Sequence, residues 1–151
     1  MGEKNKNLVY LAQTDTTAGL LSKDYKRLNR IKGRPEHQPV LKEVASLETL
    51  QSFVRVPKKF RREIRNSKRI TYIYLPTKNA IRVVNEGLHH LFLKKFQWLY
   101  STSANPSGKP FNLEWSKIKA DVIVEDKRGF FESFPSFIII IGKKNRRKVR
   151  W

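Results

Sequence analysis

The 151 residues contain no cysteine, so neither a disulfide framework nor a thiolate metal site can form, and stability has to come from packing. Histidine is scarce too. His37, His89 and His90 are the only three, and no grouping of histidines with carboxylates has metal-ligand spacing, so no protein-held metal is expected. The adjacent pair His89-His90 on one helix should point in two directions, one ring toward the core and one toward solvent. Long apolar runs are missing as well: nothing approaches the roughly 20 residues of a membrane helix. The opening MGEKNKNLVY lacks the apolar core and small-residue cleavage site of a signal peptide, and Lys6 stands where a lipid anchor on Gly2 would want Ser or Thr. A cytoplasmic chain with no membrane partner is the expectation. A GxSxG elbow, a Walker loop and a Ser-His-Asp order are also absent, which removes ordinary hydrolase and P-loop chemistry.

Negative charge is the last thing in short supply. Asp and Glu number 13 against 32 Lys and Arg, a formal charge of +19 that exceeds what solubility needs and points to a polyanionic partner, RNA or a nucleotide. The cations concentrate at Lys58 to Arg69 and at Lys143 to Arg150.

What is present alternates between strand and helix patterns. LVYLA reads as a short buried strand, and Ser22 is placed to cap a helix through KDYKRLNRIK that breaks at Gly33 and Pro35. PVLKEVA reads as a second strand, Ser46 opens a helix through LETLQSFV, and Pro57 suits the first turn of the basic helix KKFRREIRN. ITYIYLP alternates, with AIRVV at hairpin distance, and EGLHHLFLKKF has the spacing of an amphipathic helix. QWLYS, DVIVE and FIIIIG read as strands, LEWSKIKA as a short helix, and RKVRW as an edge strand. Without repeats or a low-complexity linker, the expected class is α/β, one domain over residues 1–151 around a central mixed sheet.

Three turns follow these elements: QTDTTAG after the first strand, KGRP after the first helix and STSANPSG after QWLYS. In an open α/β sheet ligands collect outside strand ends, where hydroxyls, backbone N–H groups and cations converge on phosphates or carboxylates. Each turn alone also suits capping and loop satisfaction. Taken together and in this order, QTDTTAGLL, KGRP, AIRVV, STSANPSG, FPSF and the final VRW resemble the YrdC family of threonylcarbamoyl-AMP synthases, over almost the whole chain.

The resemblance implies a single YrdC-like domain, a twisted open mixed sheet with flanking helices. It also implies an activity: threonine, bicarbonate and ATP combine into threonylcarbamoyl-AMP and pyrophosphate, for later transfer to tRNA with partner proteins of tRNA modification. By motif, Lys32 and Arg34 correspond to cations facing the triphosphate and carbamate. Ser101, Ser103 and Asn105 correspond to contacts with the nucleotide phosphate and acyl group, and Arg82 to a further anion contact. Thr14 and Thr16 fall where the family holds threonine, while Ser136 and Arg150 fall where its distal motifs close over the nucleotide, with Trp151 packing the strand edge. Magnesium would enter with ATP, held by its phosphates and water.

The chain departs from the family at Gln13, Ala18 and Leu21 in the first turn, and RNSKRIT stands in place of the family's WPGPxT. Two readings follow: a working synthase, or a YrdC-derived accessory module that binds tRNA or double-stranded RNA without efficient turnover. In either, Lys58, Lys59, Arg61, Arg62, Arg65, Lys68 and Arg69, with the run Lys143 to Lys148, are the expected contacts to RNA backbone.

Overall fold

A computed structural model describes residues 8–150. In chain order the elements are β1 (Tyr10–Gln13), β2 (Ala18–Ser22), α1 (Tyr25–Ile31), β3 (Lys42–Val44) and α2 (Leu47–Gln51). A 3-10 turn (Lys58–Phe60) then runs into α3 (Arg61–Arg65), followed by β4 (Ile70–Tyr74), β5 (Asn79–Val83), α4 (Gly87–Leu93) and β6 (Trp98–Ser103). The remainder is α5 (Leu113–Lys119), β7 (Val122–Val124), β8 (Phe137–Ile141) and β9 (Arg146–Arg150). Parallel and antiparallel pairings both occur, so the α/β class with mixed pairing holds. No helix among the described residues is long and apolar enough to cross a membrane.

The described residues gather into two compact units. One combines the chain up to Val40 with Leu99–Phe134, the other Leu41–Trp98 with the segment from Pro135 onward. In the first, the strands run in the order β7, β1, β2, β6. The β1–β2 hairpin aligns Gln13 with Ala18, and β2 then pairs antiparallel with β6, placing Leu21 opposite Ser101. Val9, Leu11, Ala18, Leu20, Leu28 and Ala104 form its core. The Arg27 guanidinium grips both Asp121 oxygens, one at 2.9 Å, and holds that carboxyl below its ordinary range. Because Asp121 also accepts from Val9 N, the pair ties α1 to the start of the sheet.

The second unit orders its strands β3, β5, β4, β8, β9. Its core is larger, built on Val44, Leu50, Ile64, Tyr72, Ile81, Ile139 and Ile141. Ser46 caps α2 by accepting from Thr49 N, as its position suggested. The terminal basic segment is an edge strand, β9, paired antiparallel with β8; Trp151 lies outside the described residues.

Two local expectations are corrected. Ser22 does not cap α1: Asp24 does, accepting from Arg27 N, while Ser22 ends β2 and accepts from Asp24 N. A carboxylate is the stronger acceptor for the helix N-terminus. The QTDTTAG segment is also not all turn. Its last two residues open β2, whose five residues are buried on both faces and so show no alternation.

Candidate functional site

The first unit brings KGRP and STSANPSG into contact. Lys32 is the C-cap of α1, and Gly33 follows with φ +67, the left-handed turn that swings Arg34 back over the helix end. Asn29, fully buried, fixes that turn by donating from Nδ2 to Glu36 O and Gln38 O, both at 2.9 Å. The Lys32 ammonium reaches Ser103 O at 2.9 Å and Asn105 O at 2.6 Å, with Asn105 Oδ1 at 3.3 Å and Ser103 Oγ at 3.4 Å. In return Ser107 Oγ donates to Lys32 O at 2.7 Å. Arg34 donates to Thr102 Oγ1 at 3.1 Å, and its Nε is buried without a hydrogen-bond partner among the described residues.

None of those acceptors is a carboxylate. Lys32 is only 7% exposed, and burial followed by the neighbouring Arg34 charge pushes its ammonium down to about 8. Burial lowers Arg34 as well. Two cations partly desolvated together, with no carboxylate partner among the described residues, leave the local balance positive, which is the electrostatic condition for taking up an anion. Asn105 also braces the loop, since its Nδ2 donates to Pro106 O and Lys109 O. Ser116 Oγ on α5 donates to Ala104 O at 2.9 Å and anchors the loop from behind.

The first turn belongs to the same unit. The Thr14 hydroxyl donates to Thr17 O at 2.6 Å and accepts from Thr16 N, and the two threonine hydroxyls lie 3.2 Å apart. Gln13, standing where the family pattern has proline, accepts from Phe131 N at 2.8 Å. Arg128, clamped on Asp126, donates to Gln13 O at 3.0 Å and Thr14 O at 3.3 Å. Gly19 lies beneath: a Cβ there would meet Thr14 Cγ2 at 3.0 Å and Thr102 O at 3.3 Å. Gly19→Ala is therefore expected to destabilise the protein by about 1–3 kcal/mol, read as a lower urea midpoint with an unchanged m-value. A midpoint equal to wild type would mean that the turn has slack.

Arg82 and Ser136 sit in the second unit, in a different arrangement. Strand register sets Glu43, Arg82 and Thr71 in one row across β3, β5 and β4. Arg82, 3% exposed, donates to Glu43 Oε2 at 2.7 Å and to Thr71 Oγ1 at 3.3 Å, and Thr71 and Ser136 share a 2.7 Å hydroxyl pair. His89 Nε2 closes on the other Glu43 oxygen, so His89 is the core-facing member of its pair; His90 meets Val84 O through Nδ1. Arg150 Nε donates to Ser136 O at 2.8 Å, tying the end of β9 to the start of β8.

The basic residues cluster in this unit as well. Nineteen of the 32 Lys and Arg fall there against four of the 13 acidic residues. Lys58, Lys59, Arg61, Arg62, Arg65 and Lys68 are exposed, whereas Arg69 is half-buried at φ 59. Lys68 pairs with Glu86 at 2.9 Å and Arg146 with Glu63 at 3.1 Å. Lys59 Nζ donates to Lys144 O, so the two basic runs meet although they are far apart in sequence.

Asn29, Glu43, His89 and Arg128 were not singled out as functional from the sequence. Only the partners supplied by folding mark them, and for Arg128 those lie 114 and 115 residues away.

Known structures share this fold. E. coli YciO aligns with a TM-score of 0.73 at 19% identity, over 96% of this chain and 83% of its own. The protein MTH1692 from Methanobacterium thermoautotrophicum aligns at 0.67 and 23% identity, over 95% and 79%. P. abyssi Sua5, solved with L-threonine, aligns at 0.75 and 20% identity over 95% of this chain, which spans half of the Sua5 length (50%). No curated protein matches the sequence. The Sua5/YciO/YrdC family, described as telomere recombination, matches residues 5–128, and the chain belongs to that family.

Proposed function

We propose that the chain is a threonylcarbamoyl-AMP synthase acting in the cytoplasm on threonine, bicarbonate and ATP. The observation that carries the reading is the carboxylate-free pair Lys32 and Arg34 lodged against STSANPSG. The amine of threonine and bicarbonate give a carbamate with loss of water. A carbamate oxygen then attacks the α-phosphorus of ATP, and the bond to the bridging oxygen breaks to release pyrophosphate. Charge builds on phosphate oxygens throughout, so positioned cations and donors serve and no covalent nucleophile is required.

Lys32 and Arg34 supply the cations, Ser101, Ser103 and Asn105 the groups around the nucleotide, and Thr14 and Thr16 the threonine contacts. Arg82, Ser136 and Arg150 are assigned to the nucleotide by the family motif. The L-threonine complex of P. abyssi Sua5 supports threonine as the amino acid. Magnesium arrives with ATP, and tRNA with partner proteins of tRNA modification consumes the adenylate. The test is pyrophosphate release by the purified chain, expected only when threonine and bicarbonate are both present. Release from ATP alone, or none with all three, would overturn the synthase.

The concentration of cations in the second unit favours one other reading, an accessory module for tRNA or double-stranded RNA. Phosphate neutralisation releases counterions, so tRNA affinity should fall linearly with log salt in filter binding. A flat salt series would leave these cations as a solvated face.

A further inference from the structure

A cavity of about 280 Å³ opens at the far end of β4 and β8 in the second unit. Tyr74, which lines it, stands three residues along β4 from Thr71, about 10 Å from the Arg82–Thr71–Ser136 cluster at the rise of a strand. Four cations rim it, Arg55, Lys58, Lys59 and Lys143, and no carboxylate among the described residues lines it. Arg55, Lys58 and Lys143 make no ion pair among the described residues. The floor is apolar, from Pro57, Leu75, Pro76 and Ile141. Leu75 is 48% exposed, an apolar side chain presented beside like charges.

Tyr74 adds a polar group to this floor. It is 2% exposed, and its hydroxyl is buried with no hydrogen-bond partner among the described residues. Burial pushes its ionisation far up, so the group stays an O–H donor at any working pH. A buried donor without an acceptor is uncommon and costs stability unless something completes it.

An apolar lining with four cations and an unpartnered hydroxyl among its residues fits a planar heterocycle carrying phosphate. The volume is near the roughly 300 Å³ at which ligand pockets begin, small for a whole cofactor. The cations do not stop at the rim. Exposed Arg61 and Arg62 follow Lys58 and Lys59 along the chain, exposed Arg147 and Lys148 follow Lys143, and the Lys59–Lys144 contact holds the two basic runs together. A free nucleotide would use the rim alone, whereas a strand would use the flanks as well.

We propose that this pocket receives one unpaired base of an RNA strand, whose neighbouring phosphates lie on the flanking cations. It rests on the reading of the chain as RNA-binding and does not require synthase activity.

The test measures fluorescence anisotropy of labelled single-stranded RNA and of a duplex of equal length. Wild type, Lys58→Ala/Lys143→Ala, Leu75→Ser and Tyr74→Phe are compared, with thermal melts confirming that each folds. Losing the apolar surface that Leu75 offers a base is expected to weaken the single strand about tenfold in Leu75→Ser and leave the duplex within about twofold. The double lysine variant should lose affinity for both and lower the salt slope by about 2. Tyr74→Phe, which removes only the hydroxyl, should weaken the single strand about threefold or more. Equal losses on single strand and duplex in Leu75→Ser, or none in either, would overturn the pocket while leaving backbone binding in place. Wild type that binds neither RNA would overturn the RNA reading itself. Saturable competition by UMP alone, or tighter binding to phosphatidylserine vesicles than to RNA, would assign the pocket elsewhere.

Discussion

Lys32→Met is expected to lower ATP affinity by about 1.5–3 kcal/mol, one to two orders of magnitude, and to abolish threonine-dependent pyrophosphate release. Its ammonium is the charge that STSANPSG encloses, and its oxygen partners are neutral, so a bound phosphate would be its first counter-charge. Calorimetry of the variant against wild type measures the effect, and equal affinities would remove Lys32 from the site. The wild-type protein should carry a matching pH signature. With Lys32 titrating at about 8, its charge is mostly present at neutral pH and lost above, so ATP affinity should decline across that value while Lys32→Met stays flat. Stability moves the other way. Unfolded Lys32 keeps its proton up to 10.5, so between about 8 and 10.5 the unfolded state binds more protons and stability rises with pH. A denaturation series that falls over this interval in wild type, but not in Lys32→Met, would contradict the assigned burial.

The largest effect on stability is expected at Glu43. Fully buried, it is the carboxylate that Arg82 and His89 share. Glu43→Ala leaves a guanidinium in the interior without that counter-charge, which costs about 3–5 kcal/mol. For a chain of this size that is a fall in Tm on the order of 10 °C. Replacing the group as a whole behaves differently from breaking it. Glu43→Leu with Arg82→Met removes both charges and should recover most of the loss, because a buried pair contributes little beyond an apolar packing of equal volume. Thermal melts of the single and double variants form the comparison. A double variant as unstable as Glu43→Ala would place the stability in packing around the row, not in its charge.

Sequence and structure agree where the signal is local. STSANPSG and KGRP each combine a preceding element with turn residues, and both can be read before any contact is known. The contact between them, through Lys32, follows only from the way α1 returns its C-terminus to the loop. β2 escaped notice because AGLLS is short, lacks alternation and abuts hydroxyl residues that look like the continuation of a turn. Glu43 lies in a half-polar stretch, KEVA, that reads as an ordinary strand. Only the registers of β3 with β5 and of β5 with β4 place it beside Arg82 and, through it, near Thr71. Such a row depends on pairing between distant segments, and a linear reading holds no term for it. The two basic runs were each visible as charge, but not that Lys59 and Lys144 join them.

The β8–β9 edge has a consequence for the protein in concentrated solution. β8 runs Phe137-Ile-Ile-Ile-Ile141, a segment whose propensity and lack of charge suit ordered stacking between chains. One side is paired with β4, and the other is covered by β9, whose Arg146, Arg147, Lys148 and Arg150 are exposed. Two such edges approaching each other bring cation against cation, even with Arg146 paired to Glu63, and that repulsion guards against fibril-like growth. The guard is electrostatic, so it weakens as ionic strength rises: the screening length is about 10 Å at 0.1 M salt and about 3 Å at 1 M. High salt, the usual means of stripping nucleic acid from a basic protein, therefore also exposes this one to association along β9.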